Sequence, residues 1–178
     1  MTSERQNLVP SPQQLVPLED GFTLIELLIV MSIILIIMAF AVPSFLKLKK
    51  NTSQTSAVQT MKVLASAEMS YNSTYPNVGY GCPITVLGGD PKAGAPSAQA
   101  AQLIDATLAS TGIHSGYVFN ITCGNKTTAN NQDVYGSFEI TGVPQSVGHS
   151  GDNGYCTDDT NTIKVDPTGG TNCTQPLQ

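Results

Sequence analysis

The pattern of apolar and polar residues divides the chain into three regions. Residues 22–42 form an almost unbroken apolar run that carries one formal charge, Glu26. Residues 57–75 place an apolar or aromatic residue every three or four positions, which is the spacing of one helix face. Beyond residue 76, glycine and proline interrupt the chain and short stretches alternate between apolar and polar residues. We therefore predict a long N-terminal helix followed by a loop-rich head.

The apolar run is long enough to cross a membrane as a helix. At a rise of about 1.5 Å per residue it spans roughly 31 Å, close to the hydrocarbon thickness of a bilayer. A secretory signal peptide would have a shorter apolar core and a basic leader, although Ala39-Phe40-Ala41 resembles its cleavage site. A plain membrane anchor explains the length but not Glu26. A buried helix of a soluble protein would need a larger chain to cover it on all sides.

The helical pattern continues past the apolar run. No glycine occurs from residue 22 to 78, and Pro43 is the only proline between residues 18 and 75. We predict one helix of roughly 50 residues, bent or locally melted at Pro43, where a backbone donor is missing. Its second half turns one stripe toward the head, interrupted only by a glutamate: Ala57, Met61, Leu64, Glu68, Tyr71 and Tyr75.

Period-two alternation predicts a sheet in the second half of the chain. Residues 117–123 and 134–141 each place apolar side chains on one face, and residues 154–166 form a hairpin with its turn near 159–161. We also predict a loop over 76–96 with a short strand near 84–87. A helix over about 97–111, capped by Ser97, would cover the sheet. Three or four antiparallel strands against the long helix give an α+β fold.

Four cysteines lie in the head: Cys82, Cys123, Cys156 and Cys173. An even number at wide spacing, with no C-x-x-C pair, favours disulfides over a metal site. Disulfides require an oxidising compartment, so the chain after about residue 50 is predicted to leave the cytoplasm. The residues alone leave all three pairings open.

Composition and the remaining polar motifs exclude several functions. The net charge of −5 and pI near 4.7 lack the basic surface of a nucleic-acid-binding protein. His114 and His149 stand in predicted loops, and residues 148–152, G-H-S-G-D, miss the nucleophile motif and are interpreted as a turn. Aspartates near the C-terminus lack EF-hand spacing. We predict no catalytic residue, no metal and no cofactor.

The start of the apolar run carries a specific motif. The contiguous residues G-F-T-L-I-E-L-L-I-V, beginning at Gly21, resemble the N-terminal signature of type IV pilins and of the related pseudopilins of type II secretion systems. The resemblance implies cleavage after Gly21 by a prepilin peptidase, N-methylation of the new first residue Phe22, and an assembly role for Glu26, the fifth mature residue. Pro43 falls where the family places a helix-disturbing proline.

The resemblance also implies a division of the chain. Residues 1–21 would be the leader, 22–45 the transmembrane and filament-core helix, 46–75 its continuation against the head, and 76–178 the head. The leader departs from the family because it holds one arginine and three acidic residues. Three lysines just after the apolar run, within residues 47–50, likewise oppose a cytoplasmic leader by positive-inside counting.

The resemblance implies that the chain is a structural subunit of a type IV pilus filament and not an enzyme. The partners would be other copies of the chain in a helical polymer, the prepilin peptidase and methylase, the assembly machinery of the inner membrane and, before assembly, the lipid bilayer. The head would lie in the periplasm of the precursor and on the outside of an extracellular filament. A secretion pseudopilin and a membrane-anchored binding module that never polymerises are the alternatives.

Many pilins close a C-terminal loop with a disulfide, and the resemblance favours the same here. Pairing Cys156 with Cys173 would fasten a tail, residues 167–178, that has almost no apolar residues of its own. Cys82 would then pair with Cys123.

Overall fold

The computed structural model describes residues 21–129 and 132–177, which form two compact units with their boundary between Ala41 and Val42. The predicted leader, apart from Gly21, lies outside the described residues. The elements follow in this order: α1 (Leu24–Thr74), a 3₁₀ helix (Ile84–Leu87), α2 (Ala106–Thr111), β1 (Ile113–His114), β2 (Tyr117–Ala129), β3 (Gln132–Pro144), β4 (Gly154–Asp158), β5 (Lys164–Asp166) and β6 (Gln175–Pro176).

The first unit consists of the N-terminal part of α1. Every described residue from 21 to 41 is exposed in the isolated chain. Within the described ranges, α1 is the one helix whose length and apolar composition would let it cross a membrane. Apolar side chains exposed to this degree need a cover that residues 21–129 and 132–177 do not supply.

Helix α1 is continuous through Pro43, so the predicted local melting at this position is wrong, while a bend there stays a prediction. Proline removes one backbone hydrogen bond but holds φ at a helical value, so a helix can continue through it at a cost in stability. The helix ends at Thr74 because Tyr75 precedes Pro76, and a residue before proline avoids the helical region.

The second unit contains a six-stranded antiparallel sheet in which the strands follow sequence order from β1 to β6. Its centre is the long β2–β3 pair, with Ile121 opposite Ile140. Tyr117, Phe119 and Ile121 are buried, while the residues between them face outward, as the alternation predicts. The predicted hairpin is the β4–β5 pair. Both long strands extend beyond their predicted ends.

One face of α1 packs on this sheet. The predicted stripe is buried from Ala57 to Tyr71, with Met61 and Leu64 at 0% exposure, and Tyr75, just past the helix, is half-buried. The sheet contributes Phe119 and Ile140 to the same cluster. A side chain at Gly142 would press on Phe119 and on the sulfur of Met61, so glycine in β3 lets the helix approach closely. The predicted α+β fold is confirmed.

Two local predictions are wrong. Residues 84–87 form a 3₁₀ helix rather than a strand, because their carbonyls face the chain at 101–104 instead of a neighbouring strand. The helix predicted from Ser97 begins only at Ala106. The N–H groups of residues 101–104 donate to carbonyls of 86–88, so they are not available for helix, and Asp105 then caps α2 by accepting from Thr107 and Leu108.

The segment after α1 is fastened to β3 at one close approach. Gly79 has a φ of 81°, and a Cβ there would overlap the carbonyl oxygen of Tyr135. That carbonyl accepts the N–H of Tyr80 at 3.0 Å, and the Tyr135 N–H donates to Val78 at 3.0 Å. Only glycine fits both the backbone angle and the contact.

Candidate functional site

The N-terminus of α1 is closed by a reciprocal hydrogen-bond pair between Thr23 and Glu26. Oε2 of Glu26 accepts from the Thr23 N–H at 2.9 Å and from its hydroxyl at 2.7 Å, and Thr23 Oγ1 accepts the Glu26 N–H at 3.3 Å. This T-x-x-E arrangement is a capping box. The sequence contained its signal, but we predicted only an assembly role for Glu26 and missed the cap.

The predicted cleavage position is open. Gly21 and Phe22 precede α1, and Phe22 is 94% exposed. A Cβ placed on Gly21 would have no described heavy atom within 4 Å, apart from atoms of Gly21 itself and of the two residues next to it in the chain. Both residues thus lie outside the helix, and cleavage between them stays a prediction.

Between residues 27 and 41, the helix surface carries no charged side chain. Its one serine inside the apolar run, Ser32, donates its hydroxyl to the carbonyls of Leu28 at 2.7 Å and Ile29 at 2.9 Å. A hydroxyl satisfied within its own helix can enter lipid at little cost. Glu26 is thus the single formal charge on a surface that is otherwise apolar.

Two disulfides hold the head. Cys82 pairs with Cys123, which ties the segment after α1 to β2, and Cys156 pairs with Cys173, which ties β4 to the C-terminal tail. This is the pairing that we favoured. Inside the second loop, the Asp166 carboxylate accepts the Thr168 N–H at 2.9 Å and the Asn172 N–H at 3.0 Å. Hydrogen bonds from Thr168 and then Asn172 lower the pKa of Asp166.

A salt bridge fastens a head loop to α1 close to the end of the apolar run. Lys50 Nζ lies 2.7 Å from Oδ2 and 3.0 Å from Oδ1 of Asp152. One turn along the helix, Oε1 of Gln54 accepts the Asp152 N–H at 3.2 Å. The sequence held no signal for this contact, because the partners are about a hundred residues apart.

The glutamate that interrupts the helix stripe is fully buried. Oε2 of Glu68 accepts the Gly81 N–H at 2.7 Å, while Oε1 has no hydrogen-bond partner within the described residues. Burial raises the pKa of Glu68 to about 7, against the opposing effect of the Gly81 N–H. Glu68 therefore anchors the segment after α1 and is a structural carboxyl of the head.

The other polar motifs of the sequence are not brought together. His114 lies on the edge strand β1, and His149 lies in a turn in which Ser150 bonds back to Ser146. Asp158 accepts from Thr160 and Lys164. Over residues 21–129 and 132–177, no group of three or more His, Cys, Asp or Glu side chains is arranged to hold a metal ion.

Comparison with known proteins finds similarity in the N-terminal segment of the chain. The family model described as the prokaryotic N-terminal methylation motif matches residues 18–42. The chain is 44% identical over 57 residues to the type IV major pilin protein PilA of Myxococcus xanthus (strain DK1622), which is 32% of this chain and 26% of that protein. The match thus spans about a quarter of that relative. No solved structure matches the chain. These matches confirm the resemblance of the N-terminal segment to the type IV pilin family.

Proposed function

We propose that this chain, with the prepilin-type segment of the type IV pilin family, is cleaved after Gly21 and assembled as the structural subunit of a type IV pilus. One observation carries the proposal. The motif that starts at Gly21 stands at the beginning of an apolar helix that the described part of the chain leaves uncovered. Lipid covers this surface before assembly, and the same helices of other copies cover it afterwards.

Electrostatics explains why a carboxylate belongs in this helix. Cleavage creates an α-amine on Phe22, and the ordinary pKa of such an amine, near ~8, leaves it mostly cationic at neutral pH. A carboxylate in a bilayer costs on the order of 2.5–3.5 kcal/mol on insertion scales, and less near the interface. Bringing the ammonium of one subunit to Glu26 of the next relieves the cost of both charges. This contact favours one axial register between neighbouring helices.

The capping box prepares Glu26 for that role. Oε2 accepts both Thr23 groups, which fixes the carboxylate at the end of the helix. Within the described residues, Oε1 accepts no hydrogen bond and is open to a donor from another chain. Cleavage after Gly21 leaves Thr23 in place, so the mature subunit keeps the oriented carboxylate.

The head favours a pilus over a secretion pseudopilus. A disulfide closes the loop from Cys156 to Cys173, which is the feature that the family resemblance associates with pilins. The curated relative is named as a major pilin. We infer that the head lies on the outer surface of the filament and that the cysteines are oxidised in the periplasm.

The first test identifies the N-terminus. Native protein purified from the membrane and from sheared surface material is analysed by intact mass and peptide mass spectrometry. We expect a methylated Phe22 in both fractions. A chain that starts at Met1 or near Val42 contradicts the proposal, since the first would be a plain anchor and the second a secreted domain.

The second test separates assembly from insertion. Glu26→Ala is compared with Glu139→Ala, a matched change at an exposed glutamate of β3. We expect Glu26→Ala to remain in the membrane and to lose surface filaments in electron micrographs, and Glu139→Ala to form them normally. Normal filaments from Glu26→Ala would refute the assembly role.

A further inference from the structure

We propose that a pocket at the base of the head binds the phosphate headgroup of an anionic phospholipid. The pocket lies between the α1 residues 49–56 and the loops at 115–116 and 145–150, with a volume of about 570 Å³. It is independent of polymerisation and requires only that the apolar helix crosses a bilayer.

The position of the pocket along α1 matches the level of lipid headgroups. From Val42, the end of the apolar run, to Lys49 is seven residues, or about 10 Å of helix. The polar interface extends roughly 5–7 Å beyond the hydrocarbon on each side. The flexible stem of a lysine reaches back over the remaining distance. The Lys49 ammonium can therefore reach the level at which a phosphodiester would be found.

The charge of the pocket is opposite to that of the chain. The protein as a whole has a net charge of −5, yet Lys49 is the one formally charged residue that lines this pocket. Among the residues that the structure describes, Lys49 forms no salt bridge, whereas its neighbour Lys50 is paired with Asp152. An unpaired ammonium beside hydroxyl groups is the arrangement that binds phosphate oxygens.

Several hydroxyl groups of the pocket donate no hydrogen bond within the described chain and are available to a ligand. Ser56 donates to Ser115 at 2.9 Å, which leaves the Ser115 hydroxyl proton free for another acceptor. The hydroxyls of Ser53 and Ser146 make no hydrogen bond to the rest of the described chain. Several hydroxyl donors around one ammonium suit the several oxygens of a phosphodiester.

A juxtamembrane lysine also attracts anionic lipid without a site, at about 1 kcal/mol per residue. Lys47 is the matched control, because it lies two residues from Lys49 on α1 and carries the same charge but does not line the pocket. Removing the Lys49 ammonium would remove a specific charged hydrogen bond to the headgroup, so we expect lipid retention to fall roughly tenfold. Removing Lys47 would remove only diffuse attraction, so we expect a smaller fall.

The test uses the full chain in nanodiscs of phosphatidylcholine with a minority of phosphatidylglycerol. Native mass spectrometry counts the phosphatidylglycerol that remains bound after release from the nanodisc. We expect Lys49→Gln to lose retention roughly tenfold, Lys47→Gln to lose clearly less, and the uncharged change Ser53→Ala with Ser146→Ala to weaken retention as well. Circular dichroism checks that each variant is folded.

Three outcomes would overturn the proposal. Equal losses for Lys47→Gln and Lys49→Gln would mean diffuse attraction without a pocket. Unchanged retention in the double serine variant would mean that the hydroxyls do not bind the headgroup. Displacement of the lipid by glycerol phosphate in solution at similar concentration would assign the pocket to a soluble phosphate instead of a membrane lipid.

Discussion

Two stretches of the same helix behave in opposite ways. Leu35, in the first unit, is 67% exposed in the isolated chain, whereas Leu64, in the second unit, is fully buried. Both stretches are helical and rich in apolar residues, but the first is apolar all round and the second carries a single stripe. A stripe can be buried by one sheet, while an all-round apolar helix needs lipid or several other helices. The first unit thus depends on its surroundings and the second supplies its own core.

The largest expected effect concerns the cross-links that belong to the head alone. Replacing Cys82 and Cys123 by serine removes a bridge over 41 residues, worth about 4 kcal/mol by the chain-entropy argument. The bridge from Cys156 to Cys173 spans 17 residues and is worth about 3 kcal/mol. Denaturant unfolding of the detergent-solubilised chain measures both. We expect membrane insertion of either variant to be unchanged, and a failure to insert would break the separation of the two regions.

A matched pair of leucines tests the comparison directly. Leu64→Ala removes a fully buried side chain and should lower the free energy of unfolding of the head by about 3 kcal/mol. Leu35→Ala, the same change in the exposed stretch, should leave head stability within about 0.5 kcal/mol. Thermal unfolding followed by near-UV circular dichroism of the tyrosines reports on the head. Similar destabilisation by the two changes would show that both stretches belong to one folding unit.

Glu68 gives the head a pH dependence that the first unit does not share. Because the pKa of Glu68 is about 7 in the folded head against 4.5 when unfolded, the folded state holds its proton more tightly. The ionised, buried carboxylate destabilises the folded head. This destabilisation is absent below pH 4.5 and complete above about 7. We therefore expect the unfolding free energy to fall across this window by on the order of 3 kcal/mol.

Glu68→Gln should flatten that profile, because a glutamine carbonyl still accepts the Gly81 N–H and carries no proton to lose. Glu139→Gln, at an exposed position on β3, should retain the wild-type profile. Denaturant unfolding at several pH values measures the slope. A profile for Glu68→Gln that still declines from pH 4.5 to 7 would mean that another group of the head titrates.

The smallest expected effect lies near the end of the apolar run. Lys50→Ala removes the salt bridge to Asp152, whose side chain is 48% exposed, so we expect a loss of only about 0.5–1 kcal/mol in head stability. High salt should reduce the difference further. Lys47→Ala, which breaks no salt bridge within the described residues, should cost nothing measurable in the same unfolding assay.

Local sequence patterns determined much of this protein. The apolar run, the motif from Gly21 to Glu26, the helix stripe and the alternation of β2 and β3 are all readable because each depends only on near neighbours in the chain. Periodicity tells which face of an element is apolar, and that suffices for an α+β fold. The capping box of Thr23 and Glu26 was equally local and could have been predicted from its spacing.

Only the tertiary structure decided what depends on contacts between distant residues. The choice among three disulfide pairings, the pairing of Lys50 with Asp152 and the burial of Glu68 against Gly81 each join residues that no local pattern connects. The 3₁₀ helix at Ile84–Leu87 and the late start of α2 have the same cause, since backbone groups of 101–104 bond to 86–88 in place of their own helix. Propensity is a weak preference, and such contacts outweigh it once the core has formed.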